Sequence, residues 1–209
     1  MKKLKQVLLA ALTLLVLTAT TCFADSITIY GTGAGQGSNG QVDNHYTLVS
    51  APIGAGPAYT SVYPGWVSAP SGTQWINPYS SLQIAPAGDY DYQTTFDLTG
   101  LNPATAELMG KWAADNGGYI LLNGSAAIGT GTVISGSYGF EQLTDFTITG
   151  GFLPGLNTLD FVVRNDGSVT GLVADVSGTA SPAPEPSSLL LLGSGLLGVG
   201  GVVRRKALR

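Results

Sequence analysis

Residues able to carry out chemistry are few in this chain of 209 residues. His45 is the only histidine, and no serine of the central region lies in a Gly-x-Ser-x-Gly sequence. A Ser-His-Asp triad needs a histidine as base, so we expect no such triad and a surface loop position for His45. Cys22 is the only cysteine, which argues against a structural zinc site.

Paired carboxylates leave a second kind of chemistry open. Asp89 and Asp91 are two residues apart in an alternating segment and therefore face the same side of a strand. Two such groups can hydrolyse a glycosidic bond when their separation is right, which sequence does not fix. The alternative is that they are polar residues of a strand edge or turn.

Aromatic residues concentrate in the Gly- and Pro-rich N-terminal half, where loops are expected. Aromatic rings in loops can stack on the C–H faces of sugars, so Trp66 or Trp75 is a candidate carbohydrate platform. Burial of these rings under a neighbouring loop is the alternative. The group comprises Tyr59, Tyr63, Trp66, Trp75 and Tyr79. Trp112 differs, because the alternation of its strand points it into the core.

Charge is divided unevenly along the chain. Of 9 Lys and Arg residues, only Lys111 and Arg164 lie between the two ends, whereas that region holds all but one of the 13 Asp and Glu residues. So acidic a body argues against nucleic acid as a partner. It fits an extracellular domain, either with solvated acidic faces or with an affinity for divalent cations.

These side chains must be positioned by strands. Residues 25–180 show period-two alternation and many turn residues, which predicts one all-β domain, an antiparallel β-sandwich. Alternating segments are centred on Tyr92, Trp112, Phe146, Phe161 and Ala174, and a first strand is predicted over residues 26–30. Asn116-Gly117-Gly118 and Asn123-Gly124 are predicted to be tight hairpin turns, because Asn and Gly tolerate positive φ. We find no helical periodicity.

Three segments of the body resemble the galactose-binding-like jelly roll of carbohydrate-binding modules. They are Lys111-Trp112-Ala113-Ala114-Asp115-Asn116, Ile120-Leu121-Leu122-Asn123-Gly124, and residues 155–163. The resemblance implies a sandwich fold and one structural Ca²⁺. Loop Asp and Asn residues would supply its oxygen ligands, which makes Asp115 and Asn116 candidate calcium ligands.

The first 24 residues have the organisation of a secretory signal peptide. Lys2, Lys3 and Lys5 precede an apolar run at residues 7–19, and small residues at 22 and 24 predict cleavage between Ala24 and Asp25. A retained N-terminal anchor is the alternative, and lipidation of Cys22 is disfavoured by the threonines before it. Cleavage would remove the only cysteine, leaving a mature chain without disulfides.

The last 29 residues, 181–209, form a linker and a three-part ending. Pro184-Glu185-Pro186 is followed by 17 uncharged residues, a predicted membrane-spanning helix over about residues 187–203, and then by the basic cluster Arg204-Arg205-Lys206. This ending resembles the bacterial PEP-CTERM sorting signal, which implies recognition and processing by an exosortase in the membrane.

Together these features predict a non-catalytic β-sandwich protein that the secretion machinery exports. It would be anchored briefly in the inner membrane by its C-terminal helix, and then placed at the cell surface or in an exopolysaccharide matrix. The alternatives are a carbohydrate-binding module with loop aromatics and a small glycoside hydrolase.

Overall fold

The computed structural model describes residues 24–183, 193–195, 197, 198 and 205. Thirteen strands occur in the described part. They are β1 (Asp25–Ser26), β2 (Val42–Ser50), β3 (Gly56–Ser61), β4 (Trp75–Asn77), β5 (Gly88–Asp97), β6 (Glu107–Asp115), β7 (Gly117–Leu122), β8 (Ser125–Ala126), β9 (Ile128–Thr130), β10 (Val133–Ile134), β11 (Thr144–Gly150), β12 (Leu156–Asn165) and β13 (Gly171–Ala180). One turn of 3-10 helix spans Pro103–Thr105.

All strand pairings between described residues are antiparallel. The spatial order is β10-β7-β12-β5-β2-β3-β4-β13-β6-β11-β9, with β1 beside β13 and β8 beside β7. This long sheet folds over on itself, so that Phe161 of β12 packs across the interior against Trp112 of β6 and Phe146 of β11, at ring-centroid distances of 5.6 and 6.0 Å. The prediction of an all-β antiparallel fold is confirmed as a nearly closed, barrel-like sandwich. The jelly-roll order of strands stays a prediction.

Alternation along the strands places the core as the sequence predicts. On β5 the residues Tyr90, Tyr92, Thr94 and Phe96 are buried, whereas Thr95 and Asp97 between them are exposed. Trp112, at the centre of β6, is fully buried, as its strand phase predicts. Burial of each large apolar side chain contributes about 1.5–3 kcal/mol to folding, so the buried aromatic residues at the centre of the sandwich stabilise the fold.

One of the two predicted hairpin turns is correct. Asn123 and Gly124 have φ angles of 53° and 74° and join β7 to β8, whose residues Leu122 and Ser125 pair. The other prediction is wrong, because Gly117 and Gly118 lie inside β7 and pair with Arg164 and Val163 of β12.

The glycines of β7 have a different function from that of turn formation. A Cβ added to Gly118 would collide with the carbonyl oxygen of Val162, and one added to Gly117 would lie 2.7 Å from that of Gly136. Neighbouring backbones therefore approach too closely for a side chain. The chain passes at Asn116 from β6, which pairs with β11 and β13, to a different part of the sheet.

The N-terminal region also departs from prediction. The strand expected over residues 26–30 is limited to Asp25–Ser26, after which Ile27 still donates its N–H to Gly178 O at 2.8 Å. His45 lies in strand β2, half-buried, and not in a loop. Its ring stacks on Tyr30 with centroids 4.0 Å apart.

The signal peptide and the sorting tail fall mostly outside the described residues. Of residues 1–24 only Ala24 is described, and it is exposed. Gly193, Ser194, Gly195, Leu197, Gly198 and Arg205 are helical. Among the described residues no helix is long and apolar enough to cross a membrane.

Candidate functional site

A small apolar cluster lies outside the main core, on the outer face of β6 and β13. The loop of residues 62–74, between β3 and β4, folds over this face. Trp66 and Trp75 thereby cover Ala113 and Val173, and partly buried side chains surround them: Val67, Ala69, Phe140, Leu143 and Val169. Gly171 is required below Trp66, because an added Cβ would lie 2.6 Å from its ring. The loop therefore has a core of its own.

The two tryptophans are stacked on each other. Their ring centroids lie 4.4 Å apart with planes at 26°, and only 8% of Trp66 and 5% of Trp75 is exposed. Both indole N–H groups have protein acceptors at 2.8 Å, the carboxylate of Asp115 for Trp66 and the carbonyl of Val67 for Trp75. Neither ring offers an open face in this conformation, and carbohydrate binding at Trp66 or Trp75 stays a prediction.

The hydrogen bond from Trp66 to Asp115 joins a candidate carbohydrate-binding residue to a candidate calcium ligand that lies far away in the sequence. Asp115, at the end of β6, is buried, and its Oδ2 accepts from Trp66 Nε1. Burial raises the pKa of this carboxyl; the Trp66 bond opposes that rise, and the charge of Asp166 adds to it. The Asp115 carbonyl accepts from Thr170 Oγ1 at 2.8 Å, which fixes the carboxylate against the neighbouring loop.

Asn116 makes three hydrogen bonds to two loops, those of residues 135–143 and 166–170. Its Nδ2 donates to Ser137 O at 3.1 Å, its Oδ1 accepts from the N–H of Asp166 at 2.8 Å, and its carbonyl accepts from the N–H of Gly139. The side-chain oxygen predicted to bind Ca²⁺ thus has a protein donor. In the described part of the chain, no three His, Cys, Asp or Glu residues come together to hold a metal. Calcium at Asp115 and Asn116 stays a prediction.

A cleft of about 260 Å³ opens beside this cluster. Eight residues line it: Tyr63, Asp115, Asn116, Ser137, Tyr138, Phe140, Ser168 and Val169. Tyr138 is 69% exposed and Tyr63 37%, so their rings have accessible surface that the tryptophans lack. Sequence reasoning missed Tyr138 and Ser137. The sequence did contain a sign of Tyr138, because this aromatic residue lies in a Gly- and Ser-rich segment, where a loop is expected.

The two carboxylates that the sequence leaves open as a hydrolytic pair lie elsewhere, on the outer face of β5. Asp89 is exposed and Asp91 half-buried, with its Oδ1 buried and without a partner among the described residues. Burial, then the charge of Asp160 on β12, raises the pKa of Asp91 to about 6. Asp160 itself is buried and accepts from Gln93 Nε2 at 2.7 Å, and burial raises its pKa as well. Asp160 was missed, because alternation placed it on the polar face.

The segment before the sorting signal is attached to the body. Pro182 pairs with Leu101, Ala183 donates its N–H to Gly100 O at 2.8 Å, and Asn102 donates to Ser181 O at 2.7 Å. Residues 181–183 thus bond to the body, and the predicted domain boundary at 180 stays a prediction. Residues 184–186 follow immediately, outside the described residues.

Both ends of the body emerge at the same place. Asp25, the first residue after the predicted cleavage site, pairs with Ala180 at the end of β13. We call this end, with Asp25, Ala180 and Pro182, the terminal pole. The opposite end of β13 is Gly171, which pairs with Asp115; we call the end around Asp115 and its cleft the loop pole. The two poles lie roughly 30 Å apart, which is the length of the ten residues of β13.

Comparisons with known proteins identify the C-terminal segment. Residues 182–206 match the family model of the PEP-CTERM protein-sorting motif. The chain therefore carries this sorting motif at its C-terminal end, as its three-part ending predicts. Such a motif implies an exported protein that an exosortase sorts and processes. Among curated protein sequences none matches the chain.

The body has a structural likeness to a carbohydrate-binding module. It is similar to the CBM36-1 domain of a multidomain xylanase from the hindgut metagenome of Trinervitermes trinervoides, with a TM-score of 0.32 and 13% sequence identity. The match covers 74% of this chain and 96% of that domain. A likeness of this size carries no information about a ligand.

Proposed function

We propose that this protein is a non-catalytic β-sandwich that is exported, processed at both ends, and displayed in the extracellular polysaccharide matrix. A signal peptidase would cut between Ala24 and Asp25. An exosortase-type enzyme would then act near Pro184-Glu185-Pro186, while the helix of residues 187–203 holds the precursor in the inner membrane. The folded body, residues 25–183, is the part that functions outside the cell.

The attachment of Ser181–Ala183 is the observation that carries this proposal. These residues bond to the 100–105 turn, so the chain immediately before Pro184-Glu185-Pro186 belongs to the folded body. The matched sorting motif, residues 182–206, therefore begins at the terminal pole of the body. An exosortase-type enzyme would find the start of the motif at this pole, and the loop pole is the opposite end of the body.

Two features support a non-catalytic body. The imidazole of His45 packs flat on Tyr30, with planes at 15°, which is a structural contact. The buried carboxylate of Asp115 accepts from the indole of Trp66, which fixes it in the loop core. Both groups thus have packing roles that account for their positions.

Substitution of the acidic residue of the motif tests the processing step. Glu185→Gln should leave the precursor uncut and cell-bound, because Pro184-Glu185-Pro186 loses its only charge. The matched control is Glu141→Gln, the same change at an exposed glutamate of the body. Full-length chains carrying each change would be followed by immunoblotting of membrane and extracellular fractions in the native host. Equal processing of both variants would contradict the role of the motif.

A further inference from the structure

The cleft at the loop pole has the chemistry of a binding site for a neutral sugar. We propose that Tyr63, Tyr138, Ser137, Ser168 and Asp115 bind a neutral saccharide unit of an extracellular polysaccharide. This inference rests on the proposed function, because it names the ligand class that the displayed body would meet. It uses Tyr63 and Tyr138, whose rings are more exposed than those of Trp66 and Trp75.

Aromatic rings and unused hydroxyl groups occur together in the cleft. The ring centroids of Tyr138 and Phe140 lie 6.1 Å apart, and those of Tyr63 and Trp66 lie 5.5 Å apart. Each exposed tyrosine ring therefore packs against a second ring. Within residues 24–183, the side-chain hydroxyls of Tyr63, Tyr138, Ser137 and Ser168 have no hydrogen-bond partner in the protein. Supported rings can stack on a pyranose, while free hydroxyls can exchange hydrogen bonds with its hydroxyl groups.

The loops that carry these groups are connected by hydrogen bonds, two of which are buried. Asn116 bonds to Ser137 on one side of the cleft and to Asp166 on the other, and Asp115 is fixed by Trp66 and Thr170. A preformed site loses little conformational entropy on binding, which favours useful affinity from a small contact area. The cleft volume of about 260 Å³ suits a short sugar segment better than a large ligand.

Charge around the cleft selects against acidic sugars. Asp115 lines the cleft, and the charge of Asp166 is close enough to raise the pKa of Asp115. Glu141 lines a neighbouring cleft that shares Ser137 and Tyr138 with this one. The nearest cation, Arg164, is engaged by Asp166 at 3.4 Å and by Gly136 O at 2.7 Å. A uronate or phosphate would be repelled, whereas the hydroxyls of a neutral sugar can donate to the Asp115 carboxylate.

The position of the cleft fits this ligand. It lies at the loop pole, roughly 30 Å along β13 from the terminal pole where the sorting motif begins. The cleft and the start of the sorting motif are therefore at opposite ends of the body, so a ligand in the cleft would not overlap the motif.

Binding to an array of neutral and uronic-acid oligosaccharides tests the proposal. Full-length protein would be purified in a detergent without a sugar headgroup, and a neutral oligosaccharide that it retains would be titrated by tryptophan fluorescence, since Trp66 contacts Tyr63 and Asp115 of the cleft. Tyr138→Ala and Tyr63→Ala should each weaken binding at least about tenfold. The matched control is Tyr30→Ala, a 48%-exposed tyrosine outside the cleft, which should leave affinity unchanged.

Three results would overturn the proposal: retention of no neutral oligosaccharide, preference for uronic acids, or equal affinities for Tyr138→Ala and the unsubstituted protein. Circular dichroism of Tyr138→Ala must match that of the unsubstituted protein, and Ser137→Ala supplies a smaller second change that should also weaken binding. Because binding is measured on purified protein, its failure would leave the processing proposal standing. Likewise, failure of the processing test would leave the proposed sugar site standing.

Discussion

Individual buried polar residues determine how the loop pole is built. The Trp66 indole and the Asp115 carboxylate, 49 positions apart in the chain, satisfy each other at 2.8 Å and hold the 62–74 loop on the sheet. Leaving one of the two unpaired in a buried place costs about 1–3 kcal/mol. Sequence analysis selected both residues for separate ligands, because spacing along the chain contains no sign that they meet.

Asp91 gives the molecule a dependence of stability on pH. Its pKa is raised in the folded state, so as pH rises from about 4 to about 6 the unfolded chain loses its proton first and the folded state becomes relatively less stable. Asp91→Asn removes this cost. At neutral pH the variant should gain about 1 kcal/mol of unfolding free energy, a value reduced for solvent screening of a half-buried group. Denaturant unfolding at about pH 3.5 and about pH 7.5 measures it, and the gain should be present only at the higher pH.

The control for this prediction lies on the same strand. Asp97 is exposed, and bonds from the side chain and backbone of Thr99 lower its pKa. Its folded form therefore favours the charged carboxylate above the unfolded pKa, so Asp97→Asn should bring no gain at neutral pH. A gain from Asp91→Asn of the same size at both pH values would contradict burial of a charge as its cause.

Among the elements, strands were easier to predict than connections. Alternation located β5, β6, β11, β12 and β13, because one buried face per strand leaves a pattern of period two. It missed the crossing at Asn116, since a glycine needed for close backbone approach looks the same in sequence as a glycine needed for a turn. Only the neighbouring strand, distant in the chain, distinguishes these two uses.

Gly118 provides the test at this scale. Gly118→Ala should destabilise the protein by about 1–3 kcal/mol, because its Cβ would enter the space of the Val162 carbonyl and separate β7 from β12. Gly56→Ala in β3 is the matched control, with no atom within 4 Å of the added Cβ. Thermal unfolding of both variants measures the difference. Equal melting temperatures would contradict the packing assigned to β7.

The whole molecule is organised by its two poles. The sorting motif and the first mature residue lie at one pole, and the aromatic cleft lies at the other. The sequence contained the pattern of a signal peptide, the sorting signal and the loop aromatics, and the motif match confirms the sorting signal. Their opposite placement could not be predicted, because it depends on the pairing of Asp25 with Ala180 and of Gly171 with Asp115.

The central claim is that a body processed at both ends is the form that functions outside the cell. The most direct test is the intact mass of the protein from cell-bound and extracellular fractions of its native host. We predict an extracellular species that begins at Asp25 and ends within or just after residues 184–186. An extracellular species that retains residues 187–209 would contradict processing at the sorting motif and make the C-terminal segment a permanent part of the mature protein.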